Sequence, residues 1–272
     1  MKYFKYLSIA SCIFAMVAIF SCKKQEAKIE NLVKTTGTAV FPNFAEILLN
    51  KADYINRILS KDGYISISLF NPIGVKSGNP LIYATFTDST DRISYGMLSV
   101  NSYNLPYDKD VKAYDSFLDY KSSDYLKSLF GTFVTFKLKA KNGADDEALH
   151  EIYVPKSINV SAPFGSSINR NSTFVWDADG TNTPGVIIAV TFDPQISGNS
   201  QFKNVKTIER VIIAKDNGRY TFESQDLDGI PSGSTIAIAL VRGNLAEIKG
   251  LKTGNNYLIY AKSTTGGTYV LN

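Results

Sequence analysis

Alternation with a period of two runs through most of this sequence. In Tyr64-Ile-Ser-Ile-Ser-Leu-Phe70, the residues Ile65, Ile67 and Leu69 fall on one side of the chain, as a half-buried strand requires. The same pattern predicts strands at 81–87, 93–100, 132–140 and 150–155, separated by turn formers such as Asn71-Pro72, Asn79-Pro80 and Asn142-Gly143. Asn-Gly between two alternating runs is a strong hairpin signal, because both residues tolerate the positive φ that a tight hairpin turn needs. After about Ser161 the pattern is uniform, with strands predicted at 173–176, 186–192, 210–215, 219–222, 235–241, 257–262 and 268–271. Asp216-Asn217-Gly218 reads as a second hairpin turn. A mostly β chain follows, and Tyr and Phe, at sixteen residues each, suit a pleated, half-buried surface.

One stretch changes period. Phe44, Ile47, Leu48, Ile55, Ile58 and Leu59 recur by threes and fours, which predicts an amphipathic helix over 44–60, closed by Asp62-Gly63. Its apolar stripe is expected to cover a sheet. Residues 37–160 are therefore expected to form an α+β or helix-covered β domain. Residues 161–272 follow as a second domain after the small, turn-rich stretch Ser161-Ala-Pro-Phe-Gly-Ser-Ser. With seven short strands and Trp176 beside Phe174, this second part resembles an immunoglobulin or fibronectin type III β-sandwich.

The N-terminus opens with Lys2 and Lys5 and an apolar run from Leu7 to Phe20, ending in Ala18-Ile19-Phe20-Ser21-Cys22. This order is that of a secretory leader, and the run is short for a membrane span, which takes about 20 residues. It resembles the signal peptide of a Bacteroidota-type lipoprotein. That resemblance implies cleavage after residue 21, acylation of Cys22, and an extracytoplasmic chain held to the outer membrane by lipid. Surface export in that group follows an acidic run behind the cysteine. Here Lys23-Lys24-Gln25-Glu26 stands instead, so the periplasmic and surface faces both stay open. Residues 22–36 read as a lipidated tether.

Both cysteines, Cys12 and Cys22, fall within this leader and its lipid site. A mature chain of this kind has no thiol chemistry and no disulfide, and its stability must come from its core. Formal charge is +4, and loss of Lys2 and Lys5 lowers it to +2. No basic stripe accompanies it, which excludes nucleic acid as an expected partner. Lys137, Lys139 and Lys141 alternate as one solvated face of a strand.

His150 is the one histidine. Without a nucleophile motif beside it, no Ser-His-Asp triad is indicated. Asp177, Asp179 and Asn182 carry oxygen donors at calcium-like spacing within Asp-Ala-Asp-Gly-Thr-Asn. The set lacks the distal acid of an EF-hand loop, and the same residues make ordinary turns. No cofactor other than calcium is indicated. Asp115, Asp119 and Asp124 lie in a tyrosine-rich stretch with Tyr103, Tyr107, Tyr114, Tyr120 and Tyr125. Tyrosines bring large contact area with few rotamers to lose, which makes these five candidate ligand contacts. Asp88-Ser89-Thr90 resembles the O-glycosylation sequon of secreted Bacteroidota proteins, with Ser89 as acceptor.

The function read from these residues is a membrane-anchored, non-catalytic binding or assembly lipoprotein for a glycan, peptide or protein. The alternative is a fimbrial or adhesin subunit, which two β domains behind a lipoprotein leader also resemble. Such subunits are processed beyond an arginine, however, and here the first is Arg57, inside the predicted helix. A third reading is a glycoside hydrolase using paired carboxylates.

Overall fold

The computed structural model describes residues 62–272, apart from 74–77, 89–90, 119–122, 141–146, 164, 196, 198–199 and 250–254. Cys22 with its leader, the tether, the 44–60 stripe, Ser89, Asp119, Tyr120 and the Asn142-Gly143 turn lie outside the described residues.

The described residues are mostly β, in three sheets. The first part contains β1 (Gly63–Pro72), β2 (Asn79–Asp88), β3 (Asp91–Ile93), β4 (Gly96–Val100), β5 (Tyr103–Asn104), β6 (Tyr107–Asp108) and β7 (Ala113–Asp115). A short helix, α1 (Ser123–Ser128), then precedes β8 (Thr132–Ala140) and β9 (Glu147–Val154). The second part contains β10 (Val160–Ala162), β11 (Ser167–Ile168), β12 (Thr173–Trp176), β13 (Val186–Phe192), β14 (Ile208–Ala214), β15 (Arg219–Thr221), β16 (Thr235–Lys249) and β17 (Asn256–Leu271).

The largest sheet runs β14-β13-β16-β17-β1-β2-β7-β6, with β11 added to β17 and β3 to β2. A four-stranded sheet follows the order β5-β4-β8-β9, and a three-stranded one β10-β12-β15. The long strands β16 and β17 pair antiparallel from Thr235↔Val270 to Lys249↔Asn256. β1 lies parallel to β17 from Gly63↔Tyr257 to Pro72↔Gly266. This parallel contact joins the two parts of the chain in one sheet.

Two cores sit on that sheet. The first gathers Ile65, Ile67, Ile82 and Phe86 with Leu98, Phe136 and Leu138, and takes Tyr257, Ile259 and Ala261 from β17. The second gathers Phe174, Trp176, Ile188, Phe192 and Phe222 with Ile236, Ile238 and Leu240 of β16 and Tyr269 and Leu271 of β17. β17 thus serves both cores from one strand, and a small third cluster gathers Ile187, Leu245 and Leu258. Each fully buried side chain of this size contributes roughly 1.5–3 kcal/mol. The described residues fall in one compact unit, and the chain passes from the first core to the second between Val154 and Ile158.

Three local expectations are corrected. Asp216-Asn217-Gly218 does not close a hairpin: β14 pairs with β13 and β15 with β12, so the turn carries the chain from one sheet to another. The strands expected at 257–262 and 268–271 are one strand, because β16 pairs across Gly266 and Gly267 without a break. The run 93–100 is split instead, with β3 on β2 and β4 on β8.

Candidate functional site

Where the two cores meet, β16 turns a charge inward. Ile236, Ile238 and Leu240 are buried on one face, and the next position of that face is Arg242, fully buried. Its five N–H groups all find acceptors. Nε donates to Asp216 Oδ2 at 2.6 Å and Nη2 to Asp216 Oδ1 at 2.8 Å. Nη1 donates to the carbonyls of Lys156 at 3.3 Å and Ser157 at 3.1 Å, and Nη2 also donates to the carbonyl of Asp177. This fills the planar fork of a guanidinium.

Asp216 is equally occupied. Its side chain is 2% exposed, and it accepts from Trp176 Nε1 and Asn182 Nδ2, both at 2.9 Å. Burial by itself pushes its acidity down, but the bonds from Arg242, Trp176 and Asn182 outweigh burial and hold the carboxyl below its ordinary value. The capture of this carboxylate gives the physical reason that the Asp216 turn spans two sheets rather than closing a hairpin.

A second carboxylate pins the same segment from its other side. Asp179, 1% exposed, accepts from the Tyr153 hydroxyl at 2.8 and 2.9 Å, from Lys156 N at 2.9 Å and from Thr181 N at 3.2 Å. Burial, and then the bond to Asp179, push the Tyr153 hydroxyl up to about 12. Ile158 N donates to the buried Ser263 Oγ at 3.1 Å, and Asn159 N to Asp177 Oδ1 at 2.7 Å. The stretch from Lys156 to Asn159 is therefore held by its N–H groups and its carbonyls together; Ile158 is buried in the second core, while the side chains of Lys156 and Ser157 reach solvent.

Those side chains form part of a cleft of about 250 Å³. One wall is Lys156, Ser157 and Asp177; the other is Lys127 of α1 and Phe130 just beyond it. Leu69, Asn71 and Gly78 complete the lining from the end of β1 and the approach to β2. Asn71 is 3% exposed, and its Oδ1 has no partner among the described residues. Lys156 lies across Gly131: a Cβ on that glycine would stand 2.8 Å from Lys156 Cγ, and its φ of +86° is one that favours glycine. Gly131 thus sets where the lysine stem rests.

The residues singled out in the sequence are distributed as follows. Asp177, Asp179 and Asn182 all flank the Arg242 node, but their donors point to separate partners. Asp179 is taken by Tyr153 and two backbone amides, and Asp177 by Asn159 N and Nδ2. Asn182 Nδ2 donates to Gly185 O and Asp216, while its Oδ1 has no partner among the described residues. Among the described residues no group of three or more His, Cys, Asp or Glu stands close enough to hold a metal.

Tyr114 is 1% exposed, and its hydroxyl donates to Gly96 O at 2.7 Å and accepts from Gly96 N at 2.8 Å. Tyr107 packs on it at 5.0 Å between ring centroids, and Tyr103 packs on Tyr125 at 5.6 Å. All four belong to the first core or lie against it, and none lines the cleft. Asp115 accepts from Phe117 N at 2.7 Å; burial raises its carboxyl, and the neighbouring charge of Asp108 adds to the rise. Asp124 is exposed on α1. His150 lies on β9 opposite Phe136, where burial lowers its pKa and Glu151 acts the other way.

Lys127, Lys156, Asn71 and Arg242 were not singled out from sequence. For Arg242 a signal was present: continuing the buried face of β16 by one more step of two puts an arginine inside. No protein-family model matches the chain, and no curated protein matches it.

Proposed function

We propose that this chain is a non-catalytic, membrane-tethered binding protein that takes a small ligand in the cleft between Lys127, Phe130 and Lys156. The observation that carries the reading is the bracing of one cleft wall. Arg242 donates to the carbonyls of Lys156 and Ser157 while Lys156 N donates to Asp179, which fixes the backbone of this wall, and a wall fixed before binding loses little freedom on binding. A volume near 250 Å³ corresponds to about eight waters at roughly 30 Å³ each, the space of one monosaccharide or amino acid.

The leader and Cys22 support an extracytoplasmic chain anchored by lipid to the outer membrane. Cys22→Ser should release the protein from the membrane fraction and abolish fatty-acid labelling. For residues 161–272, the three-stranded sheet packed over the β14-β13-β16-β17 end of the large sheet supports a sandwich resembling immunoglobulin domains.

The test is a screen of the full chain in detergent against monosaccharides, amino acids and oligosaccharides by thermal shift and product analysis. At a hundredfold excess over Kd, a true ligand adds about 2.7 kcal/mol of stability, and Phe130→Ala should remove that gain. Turnover of an oligosaccharide, or gains that Phe130→Ala leaves intact, would overturn the reading.

A further inference from the structure

The charges around the cleft select among small ligands. Two lysines line it against a single carboxylate, that of Asp177. That carboxylate is already committed: Asn159 N and Nδ2 donate to it, and the buried Arg242 Nη1 lies 4.0 Å from its Oδ1. The positive charge of Arg242 is in turn matched by Asp216. No described side chain makes an ion pair with Lys127 or Lys156. Two lysines therefore line the same small space, and neither is matched by an ion pair among the described residues.

Beside them stand an aromatic side chain, Phe130, and polar groups suited to hydroxyls. Of these, the Ser157 hydroxyl can donate or accept. Resting on the binding role given above, we infer that the cleft takes a ring-bearing small anion, a sugar acid of monosaccharide size. Its carboxylate sits between Lys127 and Lys156, its ring lies on Phe130, and a hydroxyl meets Ser157. The lysines recognise the anion as point charges rather than through a planar fork, so a carboxylate and a phosphate share this chemistry.

The experiment is isothermal titration of the full chain in detergent with D-glucuronate and D-glucose, which share a ring and differ at C6. Glucose 6-phosphate, acetate and inorganic phosphate form the further arms. Glucuronate should bind at least about tenfold more tightly than glucose, and raising the salt should narrow that gap, as expected of charge pairing. Lys127→Gln with Lys156→Gln should bring glucuronate to the level of glucose while the melting temperature stays put, since both side chains reach solvent. Acetate and phosphate binding as tightly as their sugar derivatives would overturn the role given to the ring.

Equal binding of glucose and glucuronate, unchanged in the double variant but lost with Phe130→Ala, would overturn the anion inference and leave the cleft as a binding site. Absence of glucuronate binding up to about 10 mM would also overturn it. The wider binding reading then stands or falls by the separate ligand screen.

Discussion

Arg242 shows what one residue can do when every donor it carries is met. A buried charge is costly to strand, so Arg242→Met should destabilise the protein by about 3–5 kcal/mol, read as a lower urea midpoint. Adding Asp216→Leu should recover only part of the loss. Trp176 Nε1 and the carbonyls of Lys156, Ser157 and Asp177 would still lack their partners, and Asn182 Nδ2 would keep only Gly185 O. Two titrations belong to the same scale. Asp216 has a lowered folded pKa, so its stabilisation is complete above the ordinary value of 3.8 and is lost as pH falls through the lower folded value. His150 is lowered by burial from 6.5. The unfolded chain then takes up the proton first, and stability declines as pH drops below 6.5 until the folded value is passed. His150→Gln should flatten that part of a stability–pH curve measured by urea unfolding. The network itself was hidden in the sequence because its members stand 26, 65 and 86 positions from Arg242. No local pattern links residues that far apart.

At the level of elements, alternation identified β8, β12 and β13 to the residue, since each has one face in a core. It failed where pairing overrides local preference. Gly266 and Gly267 weaken a strand in isolation, yet β17 runs through them because β16 lies alongside. Gly185, by contrast, ends the loop before β13 with φ +87°, and a Cβ there would stand 2.4 Å from Ala214 O. Gly185→Ala should therefore cost about 2 kcal/mol or more, from backbone strain and from displacement of β14, measured by chemical denaturation. β14 itself is the last strand on one side of the large sheet among the described residues. Its Ile213 is 46% exposed, and an apolar edge invites pairing between molecules. Ile213→Lys should leave stability within about 0.5 kcal/mol and reduce light scattering during refolding.

For the whole molecule, the two large cores share β17 and should unfold together. The chain has one tryptophan, Trp176, which lies in the second core, while Leu98 is fully buried in the first. Leu98→Ala should cost about 2–5 kcal/mol and shift the Trp176 fluorescence midpoint as far as the circular-dichroism midpoint. A tryptophan signal that stayed in place would mean that the cores melt separately. The cleft was less legible than the fold, because its lining comes from Leu69 to Asp177 across separate segments, and only the folded sheets bring them together.

The parallel pairing of β1 with β17 also sets an order of events. Asn256 N reaches back to Asp62 across 194 positions, and Tyr257, Ile259 and Ala261 must arrive before the first core can close. A chain synthesised from its N-terminus delivers β1 long before its neighbour. The first core therefore stays open for most of the synthesis, and the two parts lock only after β17 has been made.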